Sequence, residues 1–187
     1  MNRRTVRRTL LALPLSLALS LPLAACASEE PTGSAEAPVE AEETVEESAD
    51  APVEEVAAEV SADLSVRPQV PPSDAPAPTE LVTEDVVVGD GAEATEGTTA
   101  QVKYVGGFYE TGEEFDASWD QSEDYTLPVT LGAGQVIPGF EQGIEGMQVG
   151  GRRVVTIPSE LGYGDQARGP IPAGSTLVFI IDLVSVD

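Results

Sequence analysis

The chain has 187 residues, with nine Lys and Arg against thirty-three Asp and Glu, a formal charge of −24, no His and a single Cys. Without His there is no Ser-His-Asp or Cys-His catalysis and no His-ligated zinc, and one Cys excludes an intramolecular disulfide and any Cys-cluster metal site. The acidic excess argues against nucleic acid as a partner, because phosphate binding needs a basic face.

Arg3, Arg4, Arg7 and Arg8 open the chain without an acid, and Leu10 to Leu23 follow as fourteen uncharged residues. That run is shorter than the roughly 20 apolar residues a bilayer core requires. Residues 1–25 therefore read as an export signal peptide rather than as part of a fold. The run ends in Leu23-Ala24-Ala25-Cys26, which resembles the bacterial lipobox, where the Cys sulfur takes a diacylglyceryl group. The resemblance implies lipidation at Cys26 and a place on the extracytoplasmic face of the cell membrane. Contact with the membrane is then through the lipid anchor only, since two acyl chains at about 0.8 kcal/mol per buried CH₂ anchor stably.

Residues 26–80 read as the lipidated Cys followed by a disordered tether. Beyond Cys26 the segment holds fifteen acids, one base (Arg67), eight prolines and no aromatic residue. Such a composition buries too little apolar surface to offset chain entropy. A helix across Val53 to Val60 is the competing local reading, but isolated helices shorter than about 12–15 residues are marginal in water.

The texture changes at residues 81–187, which hold all nine aromatics. Period-two runs between glycine-rich turns predict strands. The first is at Val86 to Val88. The second spans Gln101 to Tyr109, with Val102, Tyr104 and Gly106 on one face, and Thr111-Gly112 turns it toward Phe115. Leu127, Val129 and Leu131 form a further face. Val155 and Ile157 are expected inward, with Arg153 and Thr156 outward. The last strand, Leu177 to Val186, carries Leu177, Phe179, Ile181 and Leu183 on one side and Val178, Ile180, Asp182 and Val184 on the other. One stretch reads helical: Pro138 in the first turn, then Phe140, Ile144 and Met147, closed by Gly150-Gly151. The fold class is α+β, an antiparallel sheet with one short helix across a face.

These residues carry a specific resemblance. Val102-Lys103-Tyr104-Val105-Gly106 and Gly112 through Ser118 resemble the opening of an FKBP-type peptidyl-prolyl cis-trans isomerase. The likeness continues through Gly134-Gln135-Val136-Ile137-Pro138-Gly139-Phe140, Gly143, Gly146-Met147 and Arg152-Arg153. It closes with Ile157-Pro158, Gly162-Tyr163-Gly164, Ile171-Pro172 and Thr176 through Phe179. The resemblance implies a five- or six-stranded antiparallel half-barrel wrapped on the helix, with an apolar pocket between them.

Carried over position by position, it implies catalytic roles for Tyr104, Phe115, Asp116, Val136, Ile137, Phe140, Tyr163 and Phe179. Leu127, Ile171 and Trp119 are implied as substrate-binding. Phe140 stands where many relatives carry Trp, and Leu127 where another aromatic is usual. The loop Asp165 to Pro170 presents Arg168 and Pro170 at the rim. The implied reaction is rotation of an X-Pro bond in exported or cell-surface proteins. It requires no cofactor and no metal, which suits a chain lacking His. Pro-containing polypeptides are the expected partners, an FK506-like macrolide a further ligand, and a monomer the expected state. A membrane-tethered module that only binds Pro-containing segments is the alternative from a different functional class.

Overall fold

The computed structural model describes residues 54–122 and 124–187. The signal peptide, Cys26 and the tether up to residue 53 lie outside them. Alternating side chains build six strands: β1 (Val82–Val87), β2 (Thr99–Phe108), β3 (Glu114–Ala117), β4 (Leu127–Thr130), β5 (Arg152–Ile157) and β6 (Leu177–Val186). They pair antiparallel in the order β1-β5-β6-β2-β3. The far edge of β2 is shared, because Thr99 to Val102 pair with β4 while Val105 to Gly107 pair with β3. Between β3 and β4 the chain leaves the sheet through a 3-10 turn at Ser118–Asp120.

One helix, α2 (Pro138–Ile144), lies across the inner face. Pro138 begins it with the fixed φ and missing N–H that suit a first turn. Gly139 and Gly143 seat it against β5: a Cβ at these positions would fall 2.4 Å from Ile157 and 2.6 Å from Val155. The helix is shorter than the apolar spacing suggests. Gly146 turns the chain at φ +76°, and Met147 is instead held by backbone bonding with Ala94. Met147 still points into the core, with Phe140, Ile144, Val102, Val129, Val155, Ile157, Leu177, Ile181 and Leu183. The result is an α+β half-barrel, with six strands curved over one short helix.

The faces of β6 divide as the alternation predicts, but both are covered. Val178, Ile180 and Asp182 on the outer face are buried beneath residues N-terminal to the sheet. A short helix, α1 (Glu54–Ala58), starts this covering segment. Val56, Val60 and Val70 pack on Val105, Tyr109, Ala117, Val154, Val178 and Ile180 as a second core. This corrects the expected disorder for the last part of the tether, from residue 54 to 80. The physical reason is that the segment does not have to stabilise itself; the sheet supplies the apolar surface that its own composition lacks. The same contact explains α1, whose few residues are held by tertiary packing.

Two residues of β5, Arg153 and Thr156, also depart from expectation. Arg153 shares the helix-side face with Val155 and Ile157, pairs with Asp85 at 2.7 Å, and donates to the carbonyls of Gly143 and Glu145. It thereby satisfies backbone acceptors at the end of α2. Thr156 lies on the opposite face and is buried.

Candidate functional site

Five elements and two connections converge on one cavity of about 420 Å³. Tyr104 comes from β2, Phe115 and Asp116 from β3, Leu127 from β4, Phe140 from α2 and Phe179 from β6. Val136 and Ile137 arrive from the turn before α2, and Tyr163 and Ile171 from the connection between β5 and β6. Four rings form the floor and walls. Phe140 meets Phe179 edge-on with centroids 5.0 Å apart, and Tyr104 meets Phe140 edge-on at 5.6 Å. Phe115 stands edge-on to Phe179 at 5.6 Å. Edge-to-face contacts of this kind fix ring orientation as well as burying area.

The strand pattern allows this ring cluster because of one residue without a side chain. A Cβ on Gly106 would lie 2.7 Å from the Phe179 ring and 2.9 Å from the Phe115 ring. Both rings therefore fold over β2 only where Gly interrupts it. Phe108 backs Phe115 from outside the cavity, at 5.2 Å.

Polar groups are few and placed at the rim. The Tyr104 hydroxyl donates to Asp116 Oδ2 at 2.6 Å. Partial burial of the phenol, then that hydrogen bond, push the Tyr104 pKa well above the usual phenol value. The hydroxyl accordingly stays protonated and remains a donor at neutral pH. The Tyr104 backbone is held by Ser118, whose buried hydroxyl accepts from its N–H at 2.9 Å and donates to its carbonyl at 3.3 Å. Ile137 stands just before α2, and its carbonyl accepts from Phe140 and Glu141. Ile137 lines the cavity, and its own N–H has no acceptor among the described residues. Among the described residues no three acidic, His or Cys side chains are grouped to hold a metal.

All but one of the catalytic and substrate-binding residues implied from the sequence meet here. Trp119 does not. It sits in the 3-10 turn beyond β3 and packs with the outer cluster, under the ammonium of Lys103 at 4.3 Å. Ser118 takes the inward direction at that turn, which leaves Trp119 to the other face. The cavity also includes Gln135, Arg168, Gly169 and Pro170. Arg168 and Pro170 fall at the rim as the loop reading suggests, with Arg168 5.9 Å from the Tyr163 ring centre. Gln135 adjoins the Val136-Ile137 pair and could have been included on that ground. Gly106 and Ser118 act through neighbours, and nothing in their local sequence marks that role.

A six-stranded half-barrel closed on one helix around an aromatic cavity defines a class, and the comparisons agree with it. The family model for FKBP-type peptidyl-prolyl cis-trans isomerases matches residues 91–184, so the chain belongs to that family and is a peptidyl-prolyl isomerase of FKBP type. Among individual proteins, it is 50% identical over 111 residues to an FK506-binding protein of Streptomyces anulatus, covering 58% of this chain and 88% of that one. Among solved structures it is similar to AtFKBP13, with a TM-score of 0.53, 36% identity, and coverage of 59% of this chain and 96% of that one. FkpA from Escherichia coli gives a TM-score of 0.52 at 36% identity; there the match covers 58% of this chain and 49% of that one.

Proposed function

We propose that this chain rotates X-Pro bonds in proteins outside the cytoplasmic membrane, by holding the proline ring in the aromatic cavity while it is anchored through Cys26. The X-Pro amide has a rotation barrier of ~18–20 kcal/mol, because conjugation makes the C–N bond partly double. At the top of that barrier the amide is twisted and its charge separation is reduced. An apolar site binds this form in preference to the planar, strongly dipolar one, and differential binding of that kind lowers the barrier. Phe140 supplies the platform for the proline ring, framed by Tyr104, Phe115 and Phe179. The N–H of Ile137 and the hydroxyl of Tyr163 hold substrate carbonyls and orient the chain. Asp116 fixes the Tyr104 ring. A macrolide of the FK506 type is a ligand for the same cavity, gripped less well on Phe140 than on a larger ring.

The observation that carries this reading is the edge-to-face cluster of Tyr104, Phe115, Phe140 and Phe179 around the cavity. A protease-coupled assay on a Pro-containing peptide tests it. Phe140→Leu keeps the platform apolar but removes a buried ring packed edge-on against Tyr104 and Phe179, so it is expected to cost about 1–3 kcal/mol in stability, read from the urea midpoint. It is expected to lower kcat/KM on the order of tenfold, equivalent to about 1.4 kcal/mol. A variant as fast as wild type would remove the platform role. The anchor is supported by the lone Cys at the end of a short apolar run. Its test is the mass of the detergent-extracted chain, with Cys26→Ser expected to release the protein into the medium.

A further inference from the structure

The outer covering and the active site meet at one short strand. β3 has four residues, lies at the sheet edge, and pairs with β2 across a register shift at Gly106/Gly107. It nevertheless carries both Phe115 and Asp116 into the cavity. An edge strand this short has few ladder bonds to hold it.

Residues 54–80 supply the missing restraint. Their upstream end is latched to the middle of the sheet by Arg152, which is fully buried on β5. Its guanidinium binds both oxygens of Asp182 on β6, at 2.6 and 2.7 Å. It also donates to the carbonyls of Ser61, Asp63 and Val66 at 2.6, 3.2 and 3.1 Å. Those contacts use the five N–H donors an Arg side chain has. The downstream end is held at the end of β2, where the Ser73 N–H donates to the Tyr109 carbonyl at 3.0 Å. Its hydroxyl bonds the Tyr109 hydroxyl at 3.1 Å. Gly112 admits the segment there, since a Cβ would lie 2.6 Å from the Val70 carbonyl oxygen.

Between the two anchors stands Arg67. One amino group reaches Glu114, the first residue of β3, at 2.6 Å, and the other reaches Asp120, just past its end, at 2.9 Å. Ala117, the last residue of β3, is buried in the cluster with Val56, Val60 and Val70. The strand is thus gripped outside at both ends, while its inward side chains face the site.

We propose that residues 54–80 are a strap belonging to the isomerase domain, and that Arg67 is a positioning residue that sets β3, and with it Phe115 and Asp116, for catalysis. This rests on the reading of the aromatic cavity as the isomerase site. Arg67 and its partners are partly open to solvent, so they contribute little to global stability. Removing that one side chain therefore tests alignment without unfolding the protein.

The test compares wild type, Arg67→Ala and Arg67→Lys in the full chain, by kcat/KM on a Pro-containing peptide, thermal midpoint and the emission of Trp119. Trp119 is the sole Trp and lies within the outer cluster, next to Asp120. Arg67→Ala is expected to lower kcat/KM about 3- to 10-fold and shift Trp119 emission, with the midpoint moving by no more than a few degrees. Arg67→Lys is expected to recover part of the rate, keeping a charge but not the fork that spans two carboxylates. Raising salt to about 1 M should bring wild type toward the Arg67→Ala rate and leave that variant unchanged. Equal, non-zero rates for wild type and Arg67→Ala at low salt would overturn the strap's role in catalysis. A zero rate in all three chains would instead overturn the cavity reading and the positioning role with it.

Discussion

Tyr104 is the residue at which the site's chemistry and its stability meet. Its ring touches Phe140, its hydroxyl binds Asp116, and its backbone is held by Ser118. The folded chain holds the phenol proton more tightly than the unfolded chain does, because burial and the Asp116 hydrogen bond both favour the neutral form. That contribution to stability is intact below about pH 10, the ordinary phenol value, and is lost as pH rises toward the higher folded-state value. Urea titrations of wild type and Tyr104→Phe, taken from pH 8 to about pH 11, should show an extra fall for wild type above pH 10. Parallel curves would mean that the phenol is not perturbed. At this scale the sequence was largely legible. Tyr104, Phe115, Phe140 and Phe179 were identifiable through the family resemblance, because each falls at a fixed place in an ordered set of motifs along the chain. Trp119 was not, because a residue in a 3-10 turn has no alternation to tell which side it faces.

At the level of elements, α2 and β3 show how backbone approach decides what a site can hold. Gly139 and Gly143 let α2 settle on Val155 and Ile157, and Gly106 lets two rings cross β2. The Arg152 latch is the opposite device, a buried charge whose every donor is engaged. Arg152→Ala is expected to cost about 3–5 kcal/mol, since it strands the buried Asp182 carboxylate and takes the donor from three partly buried strap carbonyls. The double variant Arg152→Met with Asp182→Leu should recover part of that loss, because the orphaned carboxylate is gone while the carbonyls remain unpaired. Urea midpoints give the comparison; a double variant no more stable than Arg152→Ala would show that the carbonyls, not the carboxylate, dominate. Reading the strands from the sequence succeeded where period-two alternation was clean, as in β2 and β6. The end of α2 was misplaced because Met147 keeps a helical spacing to Ile144 while a glycine at positive φ has already turned the backbone.

For the molecule as a whole, both faces of the sheet are working surfaces, the inner one against α2 and the outer one against the strap. A chain beginning at residue 81 leaves Val105, Tyr109, Val154, Val178 and Ile180 open on one face. Such a contiguous apolar patch promotes association. The shortened chain should bind a hydrophobic dye and self-associate in sedimentation, whereas one beginning at residue 54 should do neither. A soluble, monomeric chain from residue 81 would show that the strap is dispensable for solubility. The charge divides evenly across the same boundary: the segment after Cys26 to residue 80 and residues 81–187 each carry a net −14. The amino-acid sequence by itself determined the family, the strand and helix order and nearly the whole ring cluster, because those depend on local periodicity and on residues placed in order along the chain. Only the tertiary structure decided where the folded unit begins. Three scattered valines and the backbone carbonyls of a proline-rich acidic segment carry no burial pattern of their own, and the surface that buries them, with the arginine that binds them, is assembled from strands far along the chain.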